Sequence, residues 1–89
     1  MATFLIIDSS QEDLNSISAS LRKLIPGCVL LGAQSTEEGI RKARAEFVHA
    51  ILLDSRIAEM DDFEVCKRLK ADGKMKDMPF ILLTGSEID

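Results

Sequence analysis

The residue types that build cofactor and metal sites are scarce in this sequence. It has no tryptophan, no tyrosine, a single histidine (His49) and two cysteines, Cys28 and Cys66. Neither cysteine has a Cys or His partner at metal-ligand spacing, so a zinc site is not expected. We expect both thiols to be buried and reduced, as is usual in the cytosol.

Positive charge is also in short supply. The 11 lysines and arginines are outnumbered by 15 acidic residues, giving a net charge of −4, whereas nucleic-acid binding calls for a basic surface. No apolar run approaches the roughly 20 residues that a membrane-spanning helix needs. Residues Met1 to Asp8 lack the basic start and small-residue cleavage site of a signal peptide. We therefore expect a cytoplasmic domain with no membrane contact and no direct nucleic-acid binding.

What is present is enough for one folded domain. The 89 residues are 46% hydrophobic, which argues against disorder and fits one domain over residues 1–89. Four short apolar runs stand out: Phe4–Ile7, Val29–Leu31, Ala50–Leu53 and Phe80–Leu83. Each run is continuous rather than alternating with polar residues, a pattern typical of parallel strands covered on both faces.

The segments between these runs have helical periodicity. The predicted buried stripes are Leu14, Ile17, Leu21 and Leu24, then Ile40, Ala43 and Phe47, then Phe63, Cys66 and Leu69. The expected N-terminal caps are Ser9 or Ser10, Ser35 or Thr36, and Asp61 or Asp62. Pro26-Gly27 and Gly73 are expected to end the first and third helices. The predicted order is β-α-β-α-β-α-β, with right-handed crossovers that place helices on both faces of a parallel sheet.

Polar side chains follow three of the four predicted strands. Asp8 follows the first, Asp54 the third and Thr84 the fourth, whereas Gly32-Ala33 after the second carries no reactive group. The carboxyl ends of parallel strands meet at one edge, where open α/β sheets bind ligands. Two carboxylates held close repel unless a cation lies between them, and carboxylate oxygens suit Mg²⁺. Magnesium beside a carboxylate is an arrangement for phosphoryl transfer onto that carboxylate.

Three segments resemble the receiver domain of two-component response regulators. They are the first strand with its acidic end (Phe4–Ser9), the acceptor strand and loop (Ile51–Glu64) and the fourth strand (Pro79–Gly85). The resemblance implies an α/β, flavodoxin-like three-layer sandwich with a parallel sheet. For this chain the strand order would be 2-1-3-4, without the family's fifth strand and last helices.

The resemblance also implies roles for individual residues. Asp54 would accept a phosphoryl group from a histidine kinase or phosphotransfer protein, and Asp8, Asp54 and the backbone carbonyl of Arg56 would hold Mg²⁺. Thr84 would be the switch hydroxyl that couples the site to the surface. Such a domain regulates a downstream output; it is not an enzyme in the usual sense and at most catalyses its own phosphorylation and dephosphorylation.

The sequence departs from the family pattern at several positions. Ser9 stands where a second acidic residue usually ligates the metal, and a neutral hydroxyl is a poorer ligand, so weak Mg²⁺ binding is expected. Ala58 and Asp62 replace the usual proline and glycine of the loop after the acceptor. We hypothesise that the Arg56 guanidinium partly replaces the positive charge of the family's phosphate-binding lysine.

The family's fourth helix, fifth strand with that lysine, and fifth helix have no counterpart before Asp89, the last residue. Three explanations stay open: a fragment of a longer protein, a truncated product, or a chain that pairs with another copy. A fragment is the favoured one, because proteins normally cover an apolar sheet edge such as Phe80–Leu83. A C-terminal output domain or a homodimer would follow from these explanations.

Other functional classes compete with phosphoryl acceptance. A pseudo-receiver would use the same fold only as a protein-interaction module. A flavodoxin-type flavin protein could bind phosphate at Ser9-Ser10, but Glu12 and Asp13 would repel it and no Trp or Tyr is present to stack on the flavin. A stand-alone enzyme is disfavoured because His49 precedes a strand at the end opposite the predicted site.

Overall fold

The structure is a computed structural model. It describes residues 2–54, 67–68, 70–71, 73 and 77–83, with the backbone alone for Asp54, Leu82 and Leu83. In chain order the elements are β1 (Thr3–Ile7), α1 (Gln11–Leu24), β2 (Val29–Ala33), α2 (Thr36–Ala45), β3 (Ala50–Asp54) and β4 (Phe80–Leu83). The four predicted strands are confirmed, and β2 extends to Ala33 rather than ending at Leu31.

The four strands form one sheet in the order β2-β1-β3-β4. Each neighbouring pair is parallel. Ile7 in β1 lies opposite Ala33 in β2 and Leu53 in β3, and Asp54 lies opposite Leu83 in β4. The predicted parallel sheet and its strand order are therefore confirmed.

Both faces of the sheet are covered by apolar side chains. The cluster on the α2 side contains Leu5, Ile7, Ala33, Ala43, Val48, Ile51 and Leu53. The cluster on the α1 side contains Ile6, Leu14 and Leu52. Because successive strand residues face opposite sides, a strand with a helix on each face needs an apolar residue at every position. This requirement explains the continuous apolar runs in the sequence.

Helix α1 begins at a serine cap and ends near a glycine turn. Ser10 is the N-cap, and its side-chain oxygen accepts a hydrogen bond from the Asp13 N–H at 3.2 Å. The helix ends at Leu24, and Gly27 supplies the left-handed turn that follows, with φ of +86°. The prediction that Leu24 is buried was wrong, because its exposed fraction is 77%. A 14-residue helix spans about 21 Å and is longer than a five-residue strand of about 17 Å. The end of the helix that carries Leu24 therefore extends beyond the sheet.

Helix α2 is also capped by a serine. The Ser35 side chain accepts a hydrogen bond from the Glu38 N–H at 3.1 Å. Phe47, predicted to continue the buried stripe of this helix, is 70% exposed. The helix ends at Ala45, so helical spacing no longer applies at Phe47, and Val48 occupies the core instead.

Part of the predicted third helix lies within the described residues. Lys67, Arg68 and Lys70 have helical backbone, and the Ala71 N–H donates to the Lys67 carbonyl at 3.0 Å. The predicted cap and inner face of that helix, which are Asp61 or Asp62, Phe63, Cys66 and Leu69, lie outside the described residues. None of the helices in the described part of the chain is long and apolar enough to cross a bilayer.

Cys28 is only half-buried, so the prediction of a buried thiol was wrong at this position. It lies in the connection between α1 and β2, with its Sγ 4.0 Å from the Leu21 carbonyl oxygen. A residue in a surface connection retains contact with solvent because connections run over the protein surface. Cys66 lies outside the described residues.

Candidate functional site

The carboxyl ends of β1 and β3 place two acidic residues on neighbouring strands. Asp8 directly follows β1, and Asp54 is the last residue of β3. Because Ile7 and Leu53 are opposite each other, the next residues along both strands, Asp8 and Asp54, come at the same level of the sheet. The Asp8 N–H also donates to the Ala33 carbonyl at 2.9 Å, which ties the end of β1 to β2.

Asp8 is an acidic residue inside the protein. Its exposed fraction is 1%, and it is among the largest fully buried side chains of the described residues. One carboxylate oxygen, Oδ1, accepts a hydrogen bond from the Ser10 N–H at 2.9 Å. Because burying a carboxylate is costly unless hydrogen bonds or cations offset the lost hydration, this position is typical of a site rather than of a surface cap.

The loop after β1 is held by two consecutive interactions. Asp8 accepts the Ser10 N–H, and Ser10 in turn caps α1 through Asp13. The side chain of Asp8 therefore bonds two residues ahead, which is the geometry of an Asx turn. Ser9, between them, is exposed. The structure thus holds Asp8 inward and leaves the Ser9 side chain on the surface.

The donor chemistry at this edge fits a hard divalent cation. Mg²⁺ prefers carboxylate and carbonyl oxygens and keeps several waters, and the buried Asp8 carboxylate lies beside the strand end that carries Asp54. Ser9 contributes a neutral hydroxyl, and Glu12, the other acidic candidate near the loop, is exposed. Among the described side chains, no three His, Cys, Asp or Glu residues gather in one group. We call this edge, with Asp8 after β1 and Asp54 at the end of β3, the acidic edge. Its ligand type matches magnesium, and Asp8 is the carboxylate whose side chain the structure describes.

The structure describes the remaining predicted site residues only in part. Asp54 is described as part of the backbone of β3, and its side chain is not. Arg56 and Thr84 lie outside the described residues, although Leu83, which immediately precedes Thr84 in the sequence, pairs with Asp54. The predicted roles of these three residues stay predictions.

A network of polar side chains that the sequence analysis missed borders the same edge. The Gln34 Nε2 donates to the Gln11 Oε1 at 3.0 Å, and the Gln11 Nε2 donates to Asn15 at 3.1 Å. These contacts link the connection between β2 and α2 to the first turn of α1. The side-chain pairing joins residues 23 positions apart, so local sequence patterns contain no signal for it.

Thr36 is a second buried polar residue at this end of the sheet. It is 3% exposed at the first position of α2, and its hydroxyl has no hydrogen-bond partner among the described residues. The sequence offered Ser35 and Thr36 as alternative caps. Because Ser35 takes the cap position, Thr36 turns inward and packs as a small core residue.

His49 lies at the opposite end of the sheet, as the sequence predicted. It is exposed, its Nδ1 accepts a hydrogen bond from the Thr3 N–H at 3.0 Å, and its ring meets Phe47 edge-on with centroids 4.8 Å apart. These contacts make it a structural partner of the first strand. It is remote from the acidic edge because it precedes β3, whose other end carries Asp54.

Two glutamates of α2 have perturbed acidities. A bidentate hydrogen bond from Arg68, at 2.9 and 3.0 Å, together with its charge lowers the pKa of Glu37. The Gln34 N–H and then the Lys42 ammonium lower the pKa of Glu38. Both carboxylates stay ionised near neutral pH, and both act as structural partners of neighbouring segments.

Known proteins resemble this chain in both sequence and fold. The chain is 29% identical over 84 residues to the protein PilH of Pseudomonas aeruginosa, covering 94% of this chain and 68% of that protein. It is 28% identical over 83 residues to the alkaline phosphatase synthesis transcriptional regulatory protein PhoP of Bacillus subtilis, covering 93% and 33%. The chain therefore spans about two thirds of the first relative and about a third of the second.

Two solved structures give the same result. The N-terminal domain of a response regulator receiver protein from Methanoculleus marisnigri superimposes with a TM-score of 0.84 at 28% identity, covering 94% of this chain and 67% of that one. The chemotaxis response regulator CheY4 of Vibrio cholerae shares the fold, with a TM-score of 0.80 at 24% identity over 92% and 67% of the two chains. Residues 4–89 match the response regulator receiver domain, so the chain belongs to that family of regulatory signalling domains.

Proposed function

We propose that this domain accepts a phosphoryl group on Asp54 from a histidine kinase or phosphotransfer protein, with Mg²⁺, and thereby regulates a downstream output. The observation that supports this most is the pairing at the carboxyl ends of β1 and β3. The buried carboxylate of Asp8 lies one residue beyond Ile7, which is opposite Leu53, the residue before Asp54. An inward-facing carboxylate next to the acceptor strand is what a metal-assisted acceptor site requires.

The proposed transfer is a direct displacement at phosphorus. A carboxylate oxygen of Asp54 forms a new P–O bond as the P–N bond to the partner histidine breaks, and the imidazole leaves with the electron pair. The product is an acyl phosphate on Asp54. Reactions of this kind depend on positioning and on stabilisation of charge on the phosphoryl oxygens.

Asp8 and Asp54, with the backbone carbonyl of Arg56, are the residues that would hold the magnesium ion. Mg²⁺ supplies positive charge that offsets the repulsion between the acceptor carboxylate and the incoming phosphoryl group. Asp8 contributes a fixed carboxylate, because its Oδ1 is already oriented by the Ser10 N–H. Ser9, an exposed hydroxyl, adds no charge, and this supports weak binding of the metal.

Thr84 is the proposed switch residue. It follows Leu83, the partner of Asp54 across β3 and β4, and a hydroxyl at this strand end can donate to a phosphoryl oxygen. A hydroxyl that bonds the phosphoryl group only after transfer would bias the domain between two conformations. The Arg56 guanidinium is the proposed additional phosphoryl ligand.

The second candidate function is a pseudo-receiver that acts only as a protein-interaction module. The specific observation in its favour is Ser9, which leaves Asp8 as the single carboxylate described at the end of β1. The two functions differ in one chemical event, the formation of an acyl phosphate, so they are separable by experiment.

The test is incubation of the purified chain with acetyl phosphate and Mg²⁺, followed by intact-mass measurement. We expect one phosphoryl adduct in the native chain, none in Asp54→Asn, and a normal adduct in Asp77→Asn, which removes an exposed carboxyl group in the connection before β4. An adduct that survives Asp54→Asn would refute Asp54 as the acceptor. Absence of any adduct in the native chain would favour the pseudo-receiver.

A further inference from the structure

Strand β2 forms one edge of the sheet, since the strand order is β2-β1-β3-β4. The Val29 N–H donates to the Ala2 carbonyl at 2.8 Å, and the Ala33 carbonyl accepts from the Asp8 N–H. Backbone groups of alternate residues along a strand point to opposite neighbours, so those of Leu30 and Gly32 point away from β1. An outward row of N–H and C=O groups is a template on which another strand can add.

Two side chains of α2 contact the C-terminal end of this row and the residue that follows it. The Lys42 ammonium donates to the Gly32 carbonyl at 2.5 Å. One oxygen of the Glu38 carboxylate, Oε1, accepts the N–H of Gln34, the residue directly after β2, at 2.9 Å. The second oxygen of Glu38 lies 3.3 Å from the Lys42 ammonium, one helical turn away.

The arrangement reproduces what a neighbouring strand would offer. A strand presents a donor and an acceptor in alternation along the edge; here Lys42 is the donor and Glu38 is the acceptor. The ion pair between them fixes their spacing, and both remain partly exposed. Charged side chains, lysine above all, are a common means of protecting sheet edges.

Strand β2, which this pair contacts, is apolar enough to associate with another strand. Val29, Leu30 and Leu31 form its first half, and Val29 is 39% exposed. An exposed apolar edge strand with unpaired backbone groups tends to join another strand. In a solution of one protein, the strand available for this is the same edge of another copy.

We infer that the Glu38–Lys42 pair occupies the place of a neighbouring strand at the C-terminal end of β2 and prevents a second copy of this chain from adding along that edge. Two copies joined through β2 would be related by a two-fold axis, because each offers the same row of backbone groups to the other. Neither Asp8 nor Asp54 takes part in these contacts, so this edge is distinct from the proposed phosphorylation site.

The test compares Lys42→Met with the native chain by sedimentation velocity over a range of concentrations. Met keeps the apolar stem and removes the donor, so we expect concentration-dependent dimers that the native chain does not form through this edge. Arg41→Met is the matched control: it removes the same charge from the next position of α2, where the side chain is exposed, and should leave association unchanged.

Amide hydrogen exchange locates the contact between the two copies. In the Lys42→Met dimer we expect the amides of Leu30 and Gly32 to exchange more slowly than in the native chain. Leu30→Pro added to Lys42→Met removes an outward N–H without breaking the ladder to β1, a substitution that edge strands tolerate; it should restore the monomer. Circular dichroism establishes that each variant is folded.

Three results would overturn the inference. One is a folded Lys42→Met variant that associates no more than Arg41→Met does. Another is a native chain whose Leu30 and Gly32 amides already gain protection as concentration rises. The third is association with protection confined to β4, because that contact does not involve the β2 edge.

Discussion

Gly39 in α2 packs directly against Ile7 in β1. A methyl group on Gly39 would lie 2.5 Å from Cδ1 of Ile7 and 2.9 Å from its Cγ1. Ile7 is fully buried and immediately precedes Asp8. The absence of a side chain at position 39 therefore lets α2 approach the strand that carries the acidic residue.

Gly39→Ala should destabilise the domain. Overpacking a core costs about 1–3 kcal/mol, against a gain of about 1 kcal/mol in helix propensity, so we expect a net loss of about 1 kcal/mol in the free energy of unfolding. Urea denaturation measures it. The cost should shrink when Ile7→Val removes Cδ1, and an equal cost in both backgrounds would mean that Ile7 is not the neighbour responsible. Gly73→Ala, whose added methyl group would meet no atom of the described residues within 4 Å, is the matched control.

Ser9→Asp should tighten the binding of Mg²⁺. A second carboxylate next to Asp8 would add charge near a divalent ion, and interactions of unit charges at intermediate dielectric are worth about 4 kcal/mol at 4 Å, so a gain of at least about tenfold is expected. Isothermal titration with MgCl₂ measures the affinity. Ser20→Asp adds the same charge to an exposed position in the second half of α1 and should have little effect. Equal affinities in the native chain and Ser9→Asp would show that position 9 does not reach the metal.

The ion pair between Glu37 and Arg68 should be visible in a pH titration. The Arg68 guanidinium lowers the pKa of Glu37 below the ordinary value of 4.5, so Arg68→Met should raise that pKa toward 4.5. Carboxyl ¹³C chemical shifts measure it. Lys70→Met, which removes the same charge from a residue placed over the Phe80 ring, should leave Glu37 unchanged, and an equal shift in both variants would argue against the specific bond.

The sign of the accompanying stability change follows from the same lowered pKa values. A carboxyl group with a lowered pKa in the folded state contributes stability that is complete above its unfolded pKa and is lost as pH falls through the folded value. For Glu37 and Glu38 this places the loss below about pH 4.5. Thermal unfolding at neutral and acidic pH should show the difference between native and Arg68→Met chains vanishing in acid; a difference that grows in acid would contradict the assignment.

Arg56→Ala should weaken the binding of a phosphoryl mimic such as beryllofluoride. A hydrogen bond to a charged group is worth about 1.5–3 kcal/mol, so a loss of about tenfold or more is expected if the guanidinium contacts the phosphoryl oxygens. Fluorine NMR measures the bound fraction. Arg22→Ala, at an exposed position in the last turn of α1, serves as the control. Equal affinity of Arg56→Ala and the native chain would remove Arg56 from the site.

Much of the fold could be predicted from the sequence because strands buried on both faces leave an unambiguous signal. The apolar runs located all four strands, and the polar residues at their ends located the acidic edge. The errors at Leu24 and Phe47 share a cause: periodicity reports which side a helical residue faces, but not where the covering sheet or the helix itself ends. Those limits depend on packing between elements distant in sequence.

The contacts around the site were harder to predict. The choice of Ser10 and Ser35 as caps over their neighbours depends on backbone geometry that two adjacent hydroxyl residues do not distinguish. The contacts of Lys42 with Gly32 and of Gln34 with Gln11 depend on how α2 and α1 lie against the sheet. A charged residue on a helix resembles an ordinary solvated position in the sequence, so its role at a sheet edge emerges only from the assembled fold.

Chemical mapping of the modified residue shows whether Asp54 is the phosphoryl acceptor. The chain is treated with acetyl phosphate and Mg²⁺, the acyl phosphate is reduced with borohydride, and peptides are sequenced by mass spectrometry. We predict that the reduced residue is found at position 54 and that omission of Mg²⁺ or Asp8→Asn greatly lowers its yield. Reduction at any other position would mean that Asp54 is not the acceptor, and a yield unaffected by both changes would mean that acceptance does not depend on Mg²⁺ held by Asp8.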